Sequence, residues 1–139
     1  MAQHDILDYR GRWLLIDFMR TDCPHCKALS KVLEDVHTKF GSKVVSISIV
    51  IAPPDNQQTV AKYVAETNSK STTILFDQGQ MAVSFFKATP QNPGFDTPHL
   101  FIVDPNGMIV KDIPQSPVLE DAGFLKVLRQ VIGPEAPGK

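Results

Sequence analysis

Cys23 and Cys26 are the two cysteines of this 139-residue chain, and they stand in the segment RTDCPHCKAL with Pro24 and His25 between them. A pair at that spacing can clip a metal, close a disulfide or carry out thiol chemistry. A disulfide across so short a loop removes little chain entropy, so metal or redox chemistry explains the pair better. A structural zinc site asks for four ligands in two pairs. No second CxxC is present, and His4, His25, His37 and His99 show no HxxxH-type spacing. Cu(I) is a separate case: thiolates select it, and Cys23, Cys26 and His99 have the chemistry to converge on one ion.

The flanking elements decide what the pair can do. Trp13–Met19, WLLIDFM, is a short apolar run interrupted only by Asp17, and it reads as a buried strand leading into the cysteines. From Pro24 to Phe40 the apolar residues Leu29, Val32, Leu33, Val36 and Phe40 recur at helical spacing, with charged residues between them. Pro24 suits the first turn of that helix and Gly41 its end. Cys23 is therefore expected at a helix N-terminus, where unpaired N–H groups and the helix dipole favour a thiolate and lower a thiol's pKa below the ordinary ~8.5. That makes Cys23 the expected nucleophile. Cys26, about one turn along, is the expected resolving thiol. His25, if protonated or donating to the Cys23 sulfur, favours the thiolate and pushes the couple towards oxidising power; the plain alternative is a solvent-facing helix residue.

The remainder of the chain alternates. Residues 43–51 read as a β-branched strand, 56–68 as a helix, 72–76 as a strand and 81–87 as a helix, followed by a loop dense in Pro and Gly. Two strands, 99–103 and 108–113, are joined by DPNG, with Pro105 setting the turn and Gly107 free to take positive φ. A helix over 120–132 closes the order. This pattern predicts an α/β fold in one domain, 1–139: a mixed central sheet with helices on both faces, and a loosely ordered leader (1–10) and tail (133–139). A net charge of -1 gives no electrostatic reason to expect nucleic acid or an anionic membrane as partner. No apolar run approaches the ~18 residues that span a bilayer, so the chain reads as a soluble domain and a monomer. The abrupt start, MAQHDILDYRGRW, reads as a domain boundary with an export signal or membrane anchor expected ahead of it.

LLIDFMRTDCPHC resembles the signature of the thioredoxin superfamily, in which a strand bearing a buried aspartate runs into a CxxC-initiated helix. The resemblance gives Asp17, six residues before Cys23, the role of assisting proton removal from the second cysteine; the alternative is a solvent-exposed strand-end carboxylate. DTPHLFIVDPNG resembles the family's substrate-binding turn. Pro98 would then be a cis-proline facing the CxxC, and Thr97 would pair through its N–H and C=O with an extended segment of substrate. The matches run from about Gly11 to Ile113. The segment between the second and third strands, with FIVDPNG, points to the TlpA-like branch, related to extracytoplasmic thiol reductases and cytochrome c maturation proteins.

The resemblance implies thiol–disulfide exchange with protein thiols or disulfides and with a redox partner protein. It needs no cofactor beyond a redox-active Cys23–Cys26 disulfide, and it implies an extracytoplasmic location. Departures from the family pattern are specific. Asp22 stands where Trp is usual before the first cysteine, and its charge opposes a thiolate. Leu29 stands where some cytochrome c maturation members have a glutamate. CPHC itself matches the strongly oxidising disulfide-introducing enzymes, whose large helical insertion this chain is too short to hold. A peroxidase of the peroxiredoxin type wants a proline and then a threonine three residues before its cysteine, whereas Thr21 is two before and the proline is missing.

Overall fold

The computed structural model describes residues 9–51, 55–77 and 97–135. The expected helix over 81–87, most of the Pro/Gly loop after it, His4 and both chain ends lie outside the described residues. Five strands form one sheet: β1 (Trp13–Met19), β2 (Val44–Ile51), β3 (Thr73–Asp77), β4 (His99–Val103) and β5 (Ile109–Ile113), in the order β3-β2-β1-β4-β5. β1, β2 and β3 run parallel, and β4 and β5 are antiparallel additions. The mixed sheet expected from the alternating pattern is the one observed. The central place of β1 explains its apolar run, since both of its faces are covered.

Helices α1 (Pro24–Phe40), α2 (Gln57–Thr67) and α3 (Gly123–Ile132) complete the described elements, with 3₁₀ turns at Gly41–Lys43 and Pro117–Glu120. Side chains alternate along β1, so Leu15, Asp17 and Met19 share one face. Leu15 joins Leu100 and Ile102 in a core built against Leu29, Leu33, Val36 and Phe40 of α1 and Phe124, Leu125 and Leu128 of α3. Met19 and Val50 meet Cys26 and Tyr63, which brings α2 over the same face. The opposite face holds Leu14, Ile16, Phe18, Ile47, Ile49, Phe101 and Val103, all buried.

Local chemistry explains most element ends. Asn56 and Thr59 form a reciprocal capping box at the start of α2, and Asn68 ends that helix in the left-handed region at φ 54. In the β4–β5 turn the Asp104 carboxylate accepts from the backbone N–H groups of Asn106 and Met108, both at 2.9 Å, and Gly107 takes φ 89 as expected. The last helix starts at Gly123 rather than at 120. Ser116 caps a separate 3₁₀ turn at Pro117–Glu120, and Asp121 is extended at φ -147, so the periodic apolar pattern spans two elements.

α1 carries the cysteines and is held mainly by its apolar face. Leu33, 1% exposed in the main core, is the check on that anchoring. Leu33→Ala is expected to cost about 2–5 kcal/mol of unfolding free energy, measured as a lowered denaturant midpoint with an unchanged slope.

Candidate functional site

Cys23 is the N-cap residue of α1, with extended backbone at φ -108 and ψ 111. Its sulfur takes the place usually filled by a Ser, Thr or Asp oxygen: the N–H of Cys26 donates to Cys23 Sγ at 3.1 Å. The thiol in turn faces the carbonyl of Thr97 at 3.6 Å. Thr97–Pro98 is a cis peptide, and Pro98 is buried. The site therefore brings together the N-cap of α1 and the entrance to β4, 74 residues apart, as the resemblance implies. Cys23 is partly exposed and Cys26 fully buried, both as free thiols. One thiol is open to solvent and the other enclosed.

Behind Cys26 lies Asp17, 2% exposed. Its neighbour in register on β2 is Ser48, whose hydroxyl donates to Asp17 Oδ2 at 3.3 Å, while Oδ1 has no hydrogen-bond partner. Burial pushes the Asp17 carboxyl up to about 7, with the Ser48 hydrogen bond pulling slightly the other way. Burial also pushes the Cys26 thiol far up, and the charge of Asp17 adds to the effect. A buried acid that titrates near neutrality, with one unoccupied oxygen and its field on a buried thiol, is equipped to exchange a proton with that thiol. Tyr63, from α2, donates to the Cys26 carbonyl at 3.1 Å and fixes the backbone of the second cysteine.

The loop before Cys23 is tied down by Asp55. This carboxylate is buried; it accepts from the Thr21 hydroxyl, from the Thr21 N–H at 3.3 Å and from the Thr59 hydroxyl at 2.9 Å. Sequence reasoning missed Asp55, because a single acid ahead of a helix signals nothing about a loop 34 residues earlier. It also missed Glu120. His25 does not bond to the Cys23 sulfur: its Nδ1 meets Glu120 Oε1 at 2.8 Å, and the sulfur's hydrogen bonds run to Cys26 N–H and Thr97 C=O. Asp22, expected to oppose a thiolate, is exposed and paired with Arg20 at 3.1 Å. Pro24 occupies the first turn of α1 as expected.

His99 does not join the cysteines. Its Nε2 pairs with Asp112 across the β4–β5 ladder, and its ring stacks on Phe101 at 4.9 Å. Among the described residues no three His, Cys, Asp or Glu side chains are grouped as metal ligands. The convergence of Cys23, Cys26 and His99 on copper is thus corrected: His99 alternates with Leu100 along β4 and is held by the neighbouring strand.

The family model described as the AhpC/TSA family matches residues 2–112. Solved structures share the fold at low identity. A secreted Mycobacterium tuberculosis disulfide oxidoreductase homologous to E. coli DsbE is 15% identical, with a TM-score of 0.69 over 90% of this chain and 85% of that one. StoA from Bacillus subtilis is 20% identical, with a TM-score of 0.61 over 85% and 82%. An exposed lipoprotein thioredoxin from Streptococcus pneumoniae is 17% identical, with a TM-score of 0.66 over 90% and 89%. No curated protein matches the chain.

The burial of Asp17 has a measurable consequence. The folded chain keeps this proton up to about pH 7, whereas the unfolded chain releases it near 3.8. Between those values the native state binds more protons, so stability is greatest below the lower value, falls as pH rises and levels off above the upper one. The total loss is on the order of 4 kcal/mol. Denaturant unfolding from pH 4 to pH 8 is expected to show this fall in the native sequence and a nearly flat profile in Asp17→Asn.

Proposed function

We propose, from the premise that this chain belongs to the AhpC/TSA family and has a thioredoxin-like fold, that it is a thiol–disulfide oxidoreductase acting on protein thiols and disulfides. The observation that carries the reading is the position of the Cys23 sulfur: at the helix N-cap, partly exposed, and opposite the Thr97 carbonyl. A thiolate there receives an amide N–H and the positive end of α1. An extended partner segment running past Thr97 presents its disulfide to that sulfur.

In the reducing direction the Cys23 thiolate attacks one sulfur of the partner disulfide. A mixed disulfide forms, and the partner's other sulfur leaves as a thiolate that takes up a proton. Cys26 then gives its proton to Asp17 and attacks the Cys23 sulfur, which releases the partner's second thiolate and leaves a Cys23–Cys26 disulfide. Two electrons have passed from the pair to the partner. The reverse sequence donates a disulfide, and the couple itself carries the electrons without an organic cofactor. One copy of the chain supplies every group named. An extracytoplasmic setting agrees with solved structures described as secreted and as an exposed lipoprotein. A peroxidase role gains no support at Thr21, whose hydroxyl is committed to Asp55.

Reduction of insulin disulfides tests the reading. Cys23→Ser should abolish turnover, and surviving activity would overturn the assignment of the nucleophile. Cys26→Ser should still attack but accumulate a mixed disulfide, visible as a mass adduct that dithiothreitol removes. Asp17→Asn should leave the first attack at its native rate and slow resolution by about 10²-fold, within the usual range for a lost proton acceptor.

A further inference from the structure

The sequence CPHC puts a histidine one residue from each cysteine, yet in the fold that imidazole is engaged elsewhere. His25 Nδ1 meets Glu120 Oε1 at 2.8 Å, across 95 residues of chain. An ionised carboxylate only accepts hydrogen bonds, so in this contact Nδ1 carries the hydrogen and donates. Glu120 is not a loose surface acid. It ends the 3₁₀ turn Pro117–Glu120, which Ser116 caps through the Val118 N–H at 3.2 Å, and the preceding Leu119 is fully buried against α1 and α3. The Glu120 side chain is 24% exposed. Little side-chain entropy is left to lose when the pair forms.

We propose that Glu120 is a positioning residue that fixes the His25 ring, offsets its charge and so sets the Cys23–Cys26 couple less oxidising than its CPHC sequence implies; the proposal rests on the thiol–disulfide reading above. The physical reason is charge cancellation. A lone imidazolium beside the sulfur stabilises a thiolate, hence the reduced form, and makes the couple a stronger oxidant. With the Glu120 carboxylate at 2.8 Å, a positive charge on the His25 ring is offset by a negative one. Among the described residues, several other charges near the mouth have partners. Asp22 is paired with Arg20, Lys27 with Glu66, and the Asp121 carboxylate accepts from the Gly123 N–H at 2.7 Å. Lys31 and Asp35 line a cleft of about 300 Å³ beside Glu120, on the later turns of α1. Among the described residues, Glu120 is the carboxylate bonded to the His25 ring.

The test is a double-mutant cycle on the full chain: the native sequence, Glu120→Gln, His25→Asn and the two combined. Glutamine keeps the volume of Glu120 and a hydrogen-bond acceptor for Nδ1–H, so the turn is preserved and only the charge is lost. Two quantities are read: the pH at which Cys23 ionises, by thiolate absorbance or alkylation rate, and the equilibrium of the pair with reduced and oxidised glutathione. In Glu120→Gln, Cys23 should ionise at lower pH and the glutathione equilibrium should move towards the dithiol by about two- to fivefold, the scale of a partly exposed charge pair. In the His25→Asn background the same change should do nothing. An unmoved equilibrium, a shift the other way or an equal shift without His25 would overturn the proposal. If the native chain exchanged no disulfide with insulin or glutathione, the functional reading would fail. The ionisation arm would still report the coupling of Glu120, His25 and Cys23.

Discussion

The first turn of any α-helix leaves backbone N–H groups with no partner inside the helix, and something must satisfy them. In α1 the amide of Cys26 is satisfied by the sulfur of Cys23 at 3.1 Å, so a thiol sulfur serves as the helix cap. Two consequences follow from this one bond. The sulfur is positioned as firmly as the helix, whose apolar face is locked into the main core, and its negative form is the better cap. The proposed reactivity is thus coupled to the start of the helix rather than added to it. Pro24 sharpens the arrangement, because its missing N–H leaves the cap with fewer donors to serve.

Everything on the inner side of that cap is costly to build. Asp17 sits mid-strand between residues that need a dry environment, and one carboxylate oxygen has no partner. An apolar residue of similar size would make a more stable strand. The two serines of β2, Ser46 and Ser48, lie on the same face through the parallel register, and only Ser48 reaches the acid. The strand thus offers the carboxyl one hydrogen bond, which is not enough to offset its burial. That balance lets a buried acid change its protonation state near neutrality, a behaviour that a fully satisfied carboxylate would lose.

What was legible in the sequence follows from range. β1, α1 and β4 run over the residues that periodicity assigns them, because each is long or apolar enough for the pattern to dominate. The position of Cys23 at a helix start was readable from a strand, a gap and a proline. The approach of Thr97–Pro98 came from resemblance, since nothing local in that segment announces a partner 74 residues away. Glu120, Asp55 and Ser48 were not readable at all. Each acts through a contact set by the packing of two elements, and each lies in a stretch whose local pattern is explained without it. The split of the last helix was missed for a related reason: apolar spacing continues across the break at Asp121 and conceals it.

The Asp55 clamp shows why such long-range contacts matter more at this end of the sheet than elsewhere. The loop from Arg20 to Asp22 joins the carboxyl end of β1 to the cap of α1, and a short loop there has no core of its own. Left alone, it would let the N-terminus of α1 fray, and fraying would remove the amide that Cys23 caps. Asp55 prevents this by taking both the N–H and the hydroxyl of Thr21, and it is itself fixed by Thr59 at the start of α2. α2 then returns through Tyr63 to the carbonyl of Cys26. The segment from Thr21 to Cys26 is therefore tied at one end to Asp55, just ahead of α2, and at the other to Tyr63 within it, so the geometry of the thiol pair depends on how α2 packs as well as on the four residues of the CPHC segment.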